Sequence, residues 1–142
     1  MERLVVAAVL LLAALLVAAV IRRRSRRSAT PTRTGWTVPD QLDRADFTRP
    51  DAPWLVVLFS SASCDSCAGT WEKVRQLDAP AVAVQDVSWQ TGADLHTRYA
   101  IEAVPSVLVA DAAGVVRASF LGPPSAADLW AAVSELRDAD AS

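Results

Sequence analysis

The chain has 142 residues, enough for one domain plus an accessory segment and too few for two ordinary domains. Its formal charge of −2 hides a division: residues 1–36 carry seven Arg against one Glu, whereas residues 37–142 carry 15 acidic residues against seven basic ones. A domain with a net charge of −8 repels phosphate, which argues against a nucleic-acid partner.

Residues 4–21 form an unbroken apolar run of 18 residues. As a helix it spans about 27 Å at ~1.5 Å per residue, close to the hydrocarbon thickness of a bilayer. Residues 1–24 therefore read as one N-terminal transmembrane helix with a basic flank, making the chain a single-pass membrane protein. A cleaved signal peptide is the alternative. It wants a positive start, a shorter apolar middle and a small-residue cleavage site. Here Glu2 offsets Arg3, the run is long, and Arg22, Arg23, Arg24, Arg26 and Arg27 follow it directly. Anionic headgroups attract such a flank. The positive-inside tendency favours the cytoplasmic side for the flank and for the domain after it. Residues 25–38 (SRRSATPTRTGWTV) have no helical or strand period and read as a flexible linker.

Residues 39–142 form the domain. Residues 39–47 (PDQLDRADF) predict a short helix with Pro in its first turn. Residues 54–60 (WLVVLFS) are continuously apolar and suit a strand buried on both faces. From residue 64 to 77 the pattern turns helical, with Cys67, Thr70, Trp71, Val74 and Leu77 on one stripe. Residues 81–87 predict a second strand, and residues 92–100 a short helix carrying Leu95 and Tyr99. Residues 105–110 and 115–121 predict two strands joined by a turn ending at Gly114. Ser125 caps a final helix, with Asp128 three residues on and an apolar face of Ala126, Leu129, Trp130, Val133 and Leu136. Strands separated by helices pair in parallel, and the close final pair is antiparallel. The expected fold is α/β, a mixed central sheet with helices on both faces.

Both cysteines lie in one C-x-x-C, Cys64 and Cys67. None remains for a structural disulfide framework, so the count does not identify the compartment. The motif falls at a strand-to-helix junction, in the helix's first turn. Free N–H groups and the helix dipole favour a thiolate there. Cys64 is then the attacking thiol, and Cys67, on the apolar stripe, the buried resolving thiol. A zinc site needs about four ligands, and only His96 remains as a soft partner. A structural disulfide closing so short a loop gains little.

LVVLFSSASCDSC followed by a helix resembles the active-site strand and loop of thioredoxins, and RYAIEAVPSVLVADAAGVVRASFLG resembles their later half. The resemblance covers about residues 37–142. It implies a thioredoxin-like fold and a thiol–disulfide oxidoreductase acting on protein thiols and disulfides, without metal or cofactor, as a monomer. It also implies a cis peptide bond between Val104 and Pro105, facing the cysteines, with the backbone there pairing with the substrate chain by strand addition. The residues alone require only that Val104 be non-helical. Tethered relatives also work outside the cytoplasm, so both sides of the membrane stay open.

The departures are specific. Ser63 stands where thioredoxins carry Trp, Asp65-Ser66 where they carry Gly-Pro, and Leu58 where they keep a buried Asp that assists the resolving thiol. Asp65 puts negative charge beside Cys64, which opposes the helix's effect on its thiolate. A non-catalytic adaptor that binds extended peptides at the membrane is the rival reading, and a thiol peroxidase a more distant one, with Arg98 unassignable to its chemistry. His96 reads as a surface helix residue and the acidic side chains as solvated faces. Trp36 and Trp89 are candidates to border a partner groove.

Overall fold

The computed structural model describes residues 1–27 and 37–142 and, within the first helix, the side chains of residues 5–18. It holds two compact units, Met1–Pro31 and Thr32–Ser142. The first unit is α1 (Glu2–Arg27), whose Val5, Leu10, Leu11 and Leu16 are all more than half exposed. It continues three residues into the segment read as linker, and residues 28–36 of that segment, Trp36 included, lie outside the described residues. Among the described residues no helix is long and apolar enough to cross a membrane; the described side chains cover 14 positions of the apolar run.

The second unit is built on β1 (Trp54–Ser60), all seven residues of which are buried. β2 (Val82–Ser88) pairs with it in parallel, Leu58 opposite Asp86. β3 (Ser106–Ala110) pairs antiparallel on its other edge, and β4 (Val116–Leu121) antiparallel with β3, giving the order β2-β1-β3-β4. The sheet is mixed, as expected, but β3 is a correction: it follows α3 and was expected to run parallel, whereas α3 and residues 99–105 return the chain to the end of the sheet where β2 finished, Ser88 opposite Ser60 and Ser106 opposite Phe59. Both faces are covered. Leu55, Val57 and Phe59 pack with Phe47 and Tyr99 on one side, and Val56 and Leu58 pack with Val74, Leu129 and Val133 on the other. Each such side chain contributes roughly 1.5–3 kcal/mol by leaving water.

α2 (Cys67–Val74) and α4 (Ala126–Asp140) lie on the second face and α3 (Trp89–Arg98) on the first. The buried stripe of α2 is Cys67, Thr70 and Val74, as its spacing predicts. Ser125 caps α4 by accepting from the Asp128 amide at 3.0 Å. Trp130 is a correction: it is 40% exposed and reaches back to the Lys73 carbonyl instead of joining the core.

The helix expected over residues 39–47 is a second correction. Only Arg44–Asp46 turn, as a 3-10 helix capped by Asp43. The preceding backbone is committed elsewhere. The Leu42 amide donates to the Gly114 carbonyl at 2.8 Å, and the Asp40 carbonyl accepts from the Val116 amide at 2.9 Å. These long-range bonds at the β3–β4 hairpin replace the local ones a helix would need. Arg44 then plugs the gap, buried, donating to the carbonyls of Ala52, Asp111 and Arg49. Burial draws its pKa below the usual guanidinium value against the pull of Asp111 and Asp51.

Two features of this hairpin give tests. Gly114 sits at φ +82°, and a Cβ there would lie 1.9 Å from the Leu42 carbonyl oxygen. Gly114→Ala should cost about 2–4 kcal/mol in urea unfolding, above an ordinary Gly-to-Ala change, because both the turn and its strand-like neighbour must move. Asp111 accepts from the amides of Ala113 and Val115, each at 3.0 Å, and from Arg117 at 2.8 Å. Burial pushes its pKa up, but these donors win and hold it below the ordinary carboxylate value. A depressed folded pKa stabilises above the unfolded value, ~3.9, and that stability is lost as pH falls through the folded one. Asp111→Asn should therefore cost about 1 kcal/mol at pH 7 and progressively less in acid, measured by unfolding across that range.

Candidate functional site

β1 ends at Ser60, and the chain turns at once. The Cys64 amide donates to the Ser61 carbonyl at 3.1 Å, and the Cys67 amide to the Cys64 carbonyl at 3.3 Å. Cys64 and Cys67 form a disulfide, their Cα atoms 5.5 Å apart. The expectation that both occupy the helix's first turn needs adjusting. Cys67 is the first residue of α2, Ser66 is its N-cap, and Cys64 lies in the turn before it. Ser66 makes no side-chain capping bond, so it leaves the first-turn N–H groups to other acceptors. Its hydroxyl instead stands 3.8 Å from the Cys64 sulfur.

Burial separates the two sulfurs. Cys67 is 5% exposed, below Trp71 on the stripe that faces the sheet, whereas Cys64 is half-buried at the rim. Both line an open cleft of about 310 Å³ whose walls come from β1, α2 and β2, including Ser60, Trp71 and Asp86. Asp86 was not legible as a site residue; it read as one of the solvated acids. Here the Ser60 hydroxyl donates to it at 2.5 Å. Its only sequence signal is alternation: Val84, Asp86 and Ser88 share one face of β2.

A second, smaller groove adjoins the first at Ser61, which lines both. Val104, Glu102 and Ile101 form one wall and Trp89 and His96 the other. The Val104–Pro105 peptide bond is cis. Pro105 itself is buried, and its carbonyl accepts from the Gly122 amide at 2.8 Å. Trp89 stands 48% exposed at the start of α3, beside this groove.

His96 is a correction to the surface reading. It is 2% exposed, and its Nε2–H donates to the Val87 carbonyl at 2.8 Å. Phe59 and Trp89 meet its ring edge-on, with centroids 5.1 and 5.4 Å away. α3 begins three residues earlier than its pattern predicts and kinks at Gly92, where a Cβ would come within 2.7 Å of Val87. That close approach draws His96 against the sheet. Among the described residues no group of three or more His, Cys, Asp and Glu could hold a metal ion.

No protein-family model and no curated protein matches the chain. Solved structures do. Thioredoxin O2 from Arabidopsis thaliana, in its oxidised state, is 20% identical, with a TM-score of 0.54, over 75% of this chain and 98% of that one. The thioredoxin of Fasciola hepatica is 20% identical, with a TM-score of 0.53, over 61% and 83%. Mitochondrial thioredoxin 3 from Saccharomyces cerevisiae, oxidised, is 16% identical, with a TM-score of 0.52, over 61% and 81%. At such identities these likenesses establish the fold: residues 37–142 adopt a thioredoxin-like architecture.

Proposed function

We propose that this thioredoxin-fold domain is a thiol–disulfide oxidoreductase that exchanges electrons with protein partners through Cys64 and Cys67. The observation that carries the reading is the asymmetry of the pair. One sulfur is accessible at the mouth of a cleft, its partner is buried at the start of a helix, and the two are close enough to bond. A loop of this length gives a disulfide only about 2 kcal/mol of chain-entropy stabilisation, so a structural role leaves the placement unexplained.

In the reducing direction the Cys64 thiolate attacks one sulfur of a substrate disulfide. That S–S bond breaks, a mixed disulfide forms, and the first substrate thiolate leaves. The Cys67 thiolate then attacks the Cys64 sulfur, closes the bond seen here and releases the second substrate thiolate. Two electrons pass to the substrate, and a dithiol donor restores the pair. The oxidising direction is the same sequence reversed. The groove bounded by Val104 and Trp89 adjoins the cleft, which suits an extended substrate segment laid along residues 103–105 in strand addition. The exposed Trp89 also suits the rival reading, an adaptor that only binds peptides.

We further propose that the domain works tethered to a membrane. The support is the 18-residue apolar run of residues 4–21 and the Arg flank behind it. The flank favours the cytoplasmic face.

Cys64→Ser should cut reduction of a disulfide-bonded model protein at least about 1,000-fold with an unchanged circular dichroism spectrum, while Cys67→Ser should trap the mixed disulfide. Full activity in Cys64→Ser, or a wild-type pair that cannot be cycled between its redox states, overturns the enzyme and leaves the adaptor. The full chain should stay with membranes through alkaline carbonate extraction, and Leu11→Arg with Leu12→Arg should release it. Release of the wild-type chain overturns the tether, and protease added to sealed vesicles reads the side.

A further inference from the structure

The second half of the exchange needs a thiolate at Cys67. Burial works against a thiolate, so a buried thiol resolves faster with a proton acceptor in reach. Asp86 is placed to be that acceptor. It stands opposite Leu58 in the parallel β1–β2 ladder, and residues so paired share a face of the sheet. Leu58 packs with Val74 of α2, so Asp86 lies on the α2 side, one strand outward. It lines the cleft with both sulfurs, and among the described residues lining that cleft no other side chain except the cysteines is ionisable. The walls given by β1 and α2, including Ser60, Ala68 and Trp71, carry no charge. Ser60, 5% exposed, pins one carboxylate oxygen with a 2.5 Å hydrogen bond.

We propose that Asp86, positioned by Ser60, accepts the Cys67 proton through water in the cleft during resolution. This rests on the reading of the cysteine pair as an exchange centre. The Cys67 S–H bond breaks and its proton passes through the water to the Asp86 carboxylate. The freed electron pair on sulfur forms the Cys67–Cys64 bond, and the Cys64–substrate bond breaks with its pair leaving on the substrate thiolate. That thiolate then takes up a proton, from Asp86 or from solvent, and the carboxylate is restored.

A carboxylate near a thiol has a second effect of opposite sign: its charge disfavours the thiolate. The two roles separate in Asp86→Asn. An aromatic disulfide whose leaving thiolates absorb visible light serves as the probe, mixed with the reduced full chain. The first equivalent released reports attack by Cys64 and the second reports resolution by Cys67. Asp86→Asn should slow the second phase about 10- to 100-fold at pH 7 and leave the first within about twofold. The deficit should close as pH rises and hydroxide takes over the proton. Ser60→Ala should show a smaller loss in the same phase, and Asp86→Glu should restore part of the rate. A second phase that is unchanged or faster in Asp86→Asn, with the wild type active, overturns the role of Asp86 alone. A wild-type chain that releases only the first equivalent overturns the exchange reading with it.

Discussion

The seven residues of β1 are removed from water on both faces, and that burial commits everything around the strand. Two edges need backbone partners, which β2 and β3 supply from opposite directions. Two faces need apolar cover, which α3 with the 3-10 turn supplies on one side and α2 with α4 on the other. The ladder ends at Ser60. Past that point the chain has no neighbour to pair with and must reverse into α2, so the redox pair sits where the central strand runs out. The site is therefore anchored to a strand buried along its whole length, while Cys64 stays at the rim and Cys67 is buried.

The same burial shapes the chemistry of the cleft. A strand flanked on both edges and covered on both faces admits an ionised side chain only at high cost. Leu58 meets that constraint with an apolar side chain, and the sheet carries its carboxylate one strand outward, where Asp86 is open to solvent and anchored by Ser60. An accessible carboxylate stays hydrated, so its charge is not stranded in the core. The cleft thus carries its charge on β2, at Asp86, and none on the central strand.

What the residues made legible follows from periodicity. The apolar run of β1, the hairpin ending at Gly114, the Ser125 cap and the Cys67–Thr70–Val74 stripe are local patterns with local causes. The segment over residues 39–47 was misread because its outcome is decided by partners more than 70 residues away, at Gly114 and Val116. His96 was hidden by its type, not its position: Gly92, Leu95, His96 and Tyr99 have the spacing of one helical stripe, and a ring nitrogen satisfied by the Val87 carbonyl lets His96 join it. Asp86 was invisible for a third reason. Its neighbours are fixed by the register of β2 against β1, which no single strand announces.

Arg44 has a mechanical consequence. Its guanidinium grips three carbonyls from the turn before β1 and from the β3–β4 hairpin, and beside it the backbone of residues 40–42 is stitched to that same hairpin. A load applied to the chain upstream of residue 37 reaches these fastenings before it reaches β1. The domain thus carries its own strain relief, and a pull on residue 37 is spent at the hairpin end of the domain, at the far end of β1 from the cysteines.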